Sequence, residues 1–397
     1  MITNEFIAKI EGHGNLKVDW KNNKVILEVA EGERLFEGLL VGRPAEEAYW
    51  VTPRICGVCP IAHNLASISA LENAAQIKLS EPMKLLRELM QCAQMIQSHA
   101  LHLFFLALPD YLGIDRGTEL KNKNPKAFQN ALALKALADN LAFVSAGRNV
   151  HPTTPTLGGF NKLPTQKDLK RMLSELEKTE EITHWLEKFC ENLNYPDLKV
   201  DLELVAIKND LIYSSKGETV SINDYKTAIE EEIREFSTAK FSKFHGREVM
   251  VGALARLYFE KSQNKNLDFQ NPFHNNLAQA IEIKLYHQKA QKIIKKLLEF
   301  DLKNIPHQAK PNWQKNSQGI GAVEAPRGGL YHEIHVDEKG FITYINIITP
   351  TVQNLTSIEK TAQLLIEQHA SRSQKEKEKL LNMLVRAYDP CITCSVH

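Results

Sequence analysis

At 397 residues, 43% of them hydrophobic, the chain is long enough to bury a sizeable core, and its six cysteines are too few for a disulfide-framed secreted scaffold. Forty-nine basic residues against 48 acidic ones leave a formal charge of +1, which gives no electrostatic case for a nucleic-acid or anionic-membrane partner. There is no signal-peptide pattern and no apolar run long enough to span a bilayer, so a cytoplasmic protein is expected; export carried by a partner chain would leave no trace in this sequence.

Near the start, Glu11-Gly12-His13-Gly14 is a polar segment whose glycines lower the steric cost of bringing a carboxylate close to another group. Residues 16–20 and 25–29 then read as strands around an Asn22-Asn23 turn. Arg54-Ile55-Cys56-Gly57-Val58-Cys59-Pro60 carries a C-x-x-C pair, and beyond it the texture becomes helical. Residues 61–79 form one helical pattern; a second restarts at Pro82, runs to about 108, and is apolar on more than one face, which places it inside a bundle. Further helices are expected at 130–146, 167–190, 225–236 and 277–300, with a short β excursion at 204–222 and irregular pieces at 147–152 and 158–160. From Gly319 the chain turns glycine-rich and then strand-like, with strands at 331–336 and 341–348 around a turn at 337–340. A last helix carries the charge run 375–379 on a solvated face, ends near Tyr388, and is followed by Asp389-Pro390-Cys391-Ile392-Thr393-Cys394-Ser395-Val396-His397. The expectation is a mainly α fold with smaller β parts, 1–397 forming a single composite body. Its parts are an N-terminal β segment with the first cysteine pair (1–59), a helical bundle with irregular insertions (60–318), and a β segment, final helix and second cysteine pair (319–397).

The two C-x-x-C pairs hold four of the six cysteines, and that spacing lets two sulfurs turn toward one metal. Four thiolates can bind zinc, an iron–sulfur cluster, or nickel with a second metal. Separation of the pairs by more than three hundred residues speaks against a structural zinc knuckle, which holds a compact local fold. Only Cys92 and Cys190 remain, so this chain cannot assemble an all-thiolate four-iron cluster as well, and electrons from a buried redox metal would need a partner chain to leave by.

These motifs, in this order, resemble the large, catalytic subunit of nickel–iron hydrogenases from Glu11 to His397. The matching residues are Glu11-Gly12-His13, the Arg54 to Cys59 segment with His63, Gly147-Arg148 with His151-Pro152, Glu324-Ala325-Pro326-Arg327-Gly328, Pro350-Thr351 with Asn354, and Arg386 with Asp389-Pro390-Cys391 and Cys394. The resemblance implies the large-subunit fold, a central long-helix bundle with N-terminal and C-terminal β segments, and reversible heterolytic cleavage of H2 to protons and electrons. It implies that Cys56, Cys59, Cys391 and Cys394 hold nickel, with Cys59 and Cys394 bridging to an iron that carries carbon monoxide and cyanide. Cys391 would take the first proton and Glu11 relay it; Arg327 would point over the open metal face, oriented by Asp389. Pro326 and Thr351 would line the iron side, Thr351 offering its hydroxyl to a cyanide, and His63 belongs with this cofactor-binding set. Glu37 and His397 would bind magnesium or a similar hard divalent ion. Family members lose a C-terminal extension just after this histidine, so a chain ending at His397 looks like the matured form, and a gene without the extension would give the same sequence.

An iron–sulfur small subunit is the implied partner, with further diaphorase, deazaflavin- or heterodisulfide-linked electron-transfer subunits. Ser98 stands where membrane-linked members have an aspartate, and the 98–110 segment looks more like the soluble, cofactor-coupled branch. His99 and His102 are read as core histidines or, at most, as support for the site. The competing readings are a hydrogen sensor on the same site and a zinc-bound scaffold without catalysis; the quinone-site subunit of respiratory complex I shares the fold but lacks the four cysteines.

Overall fold

The computed structural model describes residues 2–397. Strand Gly14–Asp19 pairs antiparallel with Lys24–Val29 as the alternation predicts, Val18 opposite Val25, and buries Leu16, Val18, Val25, Leu27 and Val29 on one face. Strand Ile2–Phe6, which the sequence reading did not anticipate, adds to the other edge of Gly14–Asp19.

Helix Pro60–Ala74 starts with proline at its first position, immediately after Cys59, where the missing N–H costs nothing. Almost every side chain on it is buried, because strand Ser317–Ala325 lies along it. That approach needs glycine: a Cβ on Gly319 or Gly321 would run into the backbone of Ala66, Ala70 and Ala74. Helix Glu81–Leu101 passes into a π-helical turn, His102–Ala107, and packs against Pro125–Ala146 and Asn275–Leu297; the last of these also packs on Gln166–Glu191. Asn124 caps Pro125–Ala146 by accepting from Ala127 N, and a Thr165/Asp168 capping box starts Gln166–Glu191. Together these helices form the long-helix bundle.

Ser317–Ala325, Gly328–Val336 and Ile342–Ile348 make a three-stranded antiparallel sheet, and the excursion at Glu203–Lys208, Leu211–Ser214 and Thr219–Ser221 gains Val249–Met250 as a parallel edge. The helix expected at 225–236 is wrong. Only Tyr225–Ala228 is helical, and Ile229–Glu232 is a strand paired with Phe241–Phe244. The glutamate-rich run has local helix propensity, but pairing with strand Phe241–Phe244 sets Ile229 opposite Phe244 and buries both in one cluster, and that packing wins. A helix not anticipated, Pro350–Gln368, also begins on proline.

One hydrophobic cluster joins Leu40, Ile55, Ala66 and Ile345 to Cys56, Cys59, Cys391 and Cys394, so the first cysteine loop, the Pro60–Ala74 helix, the C-terminal sheet and the chain end share a core. Among the described residues no helix is long and apolar enough to cross a membrane.

Candidate metal centre

Cys59 occupies the N-cap of Pro60–Ala74, and Cys56 lies in extended backbone after the short turn Thr52–Ile55. Cys391 sits before the single turn Ile392–Ser395. All four cysteines are reduced and buried, and their sulfurs all lie within 4.8 Å of one another. Cys56 Sγ is 3.3 Å from Cys391 Sγ, and Cys59 Sγ is 3.2 Å from Cys394 Sγ. Burial pushes the Cys391 thiol well up, while hydrogen bonds from the neighbouring thiols, Cys391 first, hold Cys56 well down. Four crowded sulfurs that cannot all ionise in a dry site are the donor set a soft cation fits, since its charge makes thiolate the favoured form of each.

Side chains that motif matching does not single out hold the two loops. Arg34 donates to Ile55 O (2.8 Å) and Val396 O (3.2 Å) and also bonds Thr393 O, fastening both ends of the chain with one guanidinium. Gln94 donates to Val58 O (2.6 Å) and accepts from Ile61 N (2.9 Å). Neither belongs to a recognisable motif, and a loop carbonyl leaves no mark in a sequence.

A small cavity of about 10 Å³ adjoins the sulfurs, lined by Cys59, His63, Ala325, Pro326, Arg327, Leu330, Pro350, Thr351, Cys391 and Cys394. Arg327, in the link between two strands, donates from Nε to Asp389 O (2.7 Å), from Nη2 to Asp389 Oδ1 (2.7 Å) and from Nη1 to Ser98 Oγ (3.3 Å). Ser98 therefore does lie against the arginine, and Asp389, at a positive φ of 51°, supplies its counter-charge. Gln279 donates to the other Asp389 oxygen at 2.9 Å. Thr351 Oγ1 accepts from Cys391 N at 2.9 Å, which leaves its proton free to point elsewhere.

Glu11 is half-buried; its carbonyl accepts from Ile392 N at 2.7 Å in a bridge with Cys391. Burial raises its carboxyl pKa, the negative charge of Cys56 raises it further, and Arg327 works the other way. Gly12 follows because a Cβ there, at φ 88°, would meet the Glu31 carboxylate at 2.5 Å and Thr393 at 2.8 Å. His63 Nε2 is 3.7 Å from Cys394 Sγ, and burial pushes its imidazole down to about 3.

Glu37 and His397 approach each other to 3.9 Å. His397 Nε2 is 2.8 Å from Ile347 O, and Glu37 Oε1 accepts from Ile347 N at 2.7 Å. The Ile347 carbonyl, again invisible to motif reading, completes an oxygen-and-nitrogen donor set that suits a hard ion. His99 and His102 stand behind the site: His99 pairs with Glu282 (2.8 Å), and His102 lies 2.6 Å from Gln279 Oε1 and 2.8 Å from Arg386 O.

The family model for nickel-dependent hydrogenases matches residues 34–131 and 208–397. The chain is 35% identical to sulfhydrogenase 1 subunit alpha of Pyrococcus furiosus, over 100% of this chain and 97% of the relative. It is 27% identical to the NAD-reducing hydrogenase HoxS subunit beta of Cupriavidus necator, over 98% and 93%. Among solved structures, an NAD+-reducing [NiFe]-hydrogenase in the H2-reduced state superposes with a TM-score of 0.87 at 24% identity, covering 100% of this chain and 99% of that one. The Ni-Fe-Se hydrogenase of D. vulgaris Hildenborough gives 0.81 at 20% identity, covering 100% of both. With four thiols gathered from both ends of the chain and this likeness along its whole length, the chain belongs to the nickel-dependent hydrogenase family, as a catalytic subunit acting on dihydrogen.

Proposed function

We propose that Cys56, Cys59, Cys391 and Cys394 would together hold a nickel–iron centre with carbon monoxide and cyanide on its iron, Cys59 and Cys394 being the thiolates the iron would share. The observation that carries this reading is the convergence of four reduced, buried sulfurs within 4.8 Å beside a small cavity lined by Arg327. When bound, the centre supplies the acceptor for the electron pair of H2; the chain supplies the base and the shielding from water. Cys391 Sγ holds the first proton, and Glu11, anchored to Ile392 and raised in pKa, takes it onward. Arg327, fixed by Asp389 and Ser98, presents a permanent positive charge beside the reacting bond, and its high pKa suits it to electrostatic stabilisation rather than to acting as a base. Pro326 and Thr351 line the cavity, the Thr351 hydroxyl being free to donate to a cyanide. Glu37, His397 and the Ile347 carbonyl bind magnesium or a similar hard ion, which ties down the last residue.

Electrons leave through an iron–sulfur small subunit. Cys92 and Cys190 are buried in different parts of the core and offer no cluster site here, whereas Arg54 and Gly57 of the first cysteine loop are exposed. Further diaphorase, deazaflavin- or heterodisulfide-linked subunits of a cytoplasmic, soluble branch belong to the same reading; a relative named an NAD-reducing hydrogenase supports the diaphorase-linked form, whereas relatives named F420-non-reducing weigh against the deazaflavin-linked one. The test is elemental analysis and infrared spectroscopy of the complex co-expressed with its small subunit and maturation machinery. Near-equimolar nickel and iron with bands from metal-bound diatomic ligands is the expected result; stoichiometric zinc without nickel would replace the proposal with a scaffold.

A further inference from the structure

Behind Cys394 runs a line of buried polar groups that the mechanism above does not use. His63 Nε2 faces Cys394 Sγ at 3.7 Å, and its Nδ1 lies 3.1 Å from His332 Nε2. His332 Nδ1 lies 2.9 Å from Ser67 Oγ, which lies 2.8 Å from Thr52 Oγ1. Thr52 Oγ1 is also 3.3 Å from the His63 carbonyl. All four side chains are buried, which disfavours imidazolium for either ring, so each histidine has one N–H and one lone pair.

With neutral rings, the two imidazoles can be ordered in only two ways if the ring–ring and ring–Ser67 contacts are to be hydrogen bonds. In one, Thr52 donates to Ser67, Ser67 to His332 Nδ1, His332 Nε2–H to His63 Nδ1, and His63 Nε2–H to Cys394 Sγ. In the other, every donor is reversed, Thr52 turns to the His63 carbonyl, and His63 Nε2 presents a lone pair to the sulfur. The 2.8 Å Thr52–Ser67 contact is a hydrogen bond in either order, so the metal end selects the first: a lone pair against a metal-bound thiolate is repulsive whereas an N–H is attractive.

We propose that His332, with Ser67 and Thr52 behind it, is a positioning residue that fixes His63 as its Nε2–H tautomer and so keeps one hydrogen bond on Cys394 Sγ. This rests on Cys394 being a metal ligand. No proton is gained or lost along the line; its effect is to draw electron density out of a sulfur that would otherwise donate it to the metals.

The test is infrared spectroscopy of the loaded complex carrying His332→Phe, His332→Gln or Ser67→Ala, with nickel content measured on the same samples. With nickel retained, His332→Phe should move the diatomic-ligand bands to lower wavenumber, because the freed His63 ring holds its bond to sulfur less well. His332→Gln, whose amide can still donate to His63 Nδ1, should restore much of the parent position. Ser67→Ala, which removes only a hydroxyl, should shift the bands the same way by less, and it decides the matter if His332→Phe loses nickel. Bands at the parent position in variants that keep their nickel would overturn the role of His332. A parent complex with neither nickel nor such bands would overturn the metal-centre reading itself, and the relay with it.

Discussion

Arg327 spends its guanidinium on three directed bonds, two to Asp389 and one to Ser98, and a lysine ammonium at the end of a flexible stem cannot reproduce that fork. Arg327→Lys keeps the charge and loses its aim, so H2 oxidation measured with an artificial acceptor should fall by at least about tenfold while nickel content holds; activity within twofold of the parent would contradict the electrostatic role. Cys391→Ser should lose turnover altogether, because a hydroxyl is a poor donor to a soft metal. Glu11→Gln separates proton transfer from assembly: nickel should stay and hydrogen–deuterium exchange should slow. The same variant has a stability signature. The Glu11 carboxyl is raised above its ordinary value of 4.5, so holding it ionised at neutral pH opposes folding, and the unstrained protonated state prevails only in acid. Glu11→Gln should therefore be at least as stable as the parent at pH 7, with any advantage vanishing below about pH 4.5 in denaturant titrations.

At the scale of elements, the site depends on how closely helices and strands are allowed to approach. Helix Pro60–Ala74 carries Cys59 at one end and His63 one turn in, and it sits where it does because Gly319 and Gly321 let strand Ser317–Ala325 reach its backbone. Gly321→Ala should push that helix away, lowering both thermal stability and nickel loading; normal loading would show that the contact does not set the ligand position. Helix Ala253–Phe259 is tied to the same region by Arg256, whose donors bond Glu282, Glu324 and the Ala325 and Pro326 carbonyls just ahead of Arg327. Burial works to raise the Glu282 carboxyl, yet the charge and hydrogen bonds of Arg256 outweigh it and bring it down to about 2. A lowered carboxylate stabilises the fold above its unfolded pKa and stops doing so as pH falls through the folded one. Glu282→Gln should thus cost about 3–5 kcal/mol near neutrality. The gap to the parent should narrow as pH drops from about 4.5 toward 2; a constant gap in urea titrations would count against the pairing.

For the whole molecule, the clustering of Cys56, Cys59, Cys391 and Cys394 is legible because cysteine pairs at such remote positions have few other uses, and the long helices because their apolar faces are broad. Residues 225–236 were misread because local propensity favoured a helix where a partner strand decided otherwise, and Pro350–Gln368 was seen only as a motif at its first turn. Arg34, Gln94 and Ile347 could not be found, since they act on or through backbone carbonyls that any residue carries. A metal gripping residues this distant acts as a tether on the unfolded chain as well as a cofactor. Stripping the metal should therefore speed amide exchange at 54–60 and 389–397 well before it touches helix Pro125–Ala146; uniform exchange across the chain would mean the ends are held by packing alone.

The sulfurs of Cys56 and Cys391, and those of Cys59 and Cys394, already lie within 3.3 Å of each other. In air, protein without its metal needs only a small further approach to join each pair, since thiols at this range oxidise readily. Two such links would clasp the head of the chain to its tail and shut nickel out, so a preparation handled aerobically before insertion would stay inert until treated with a reductant.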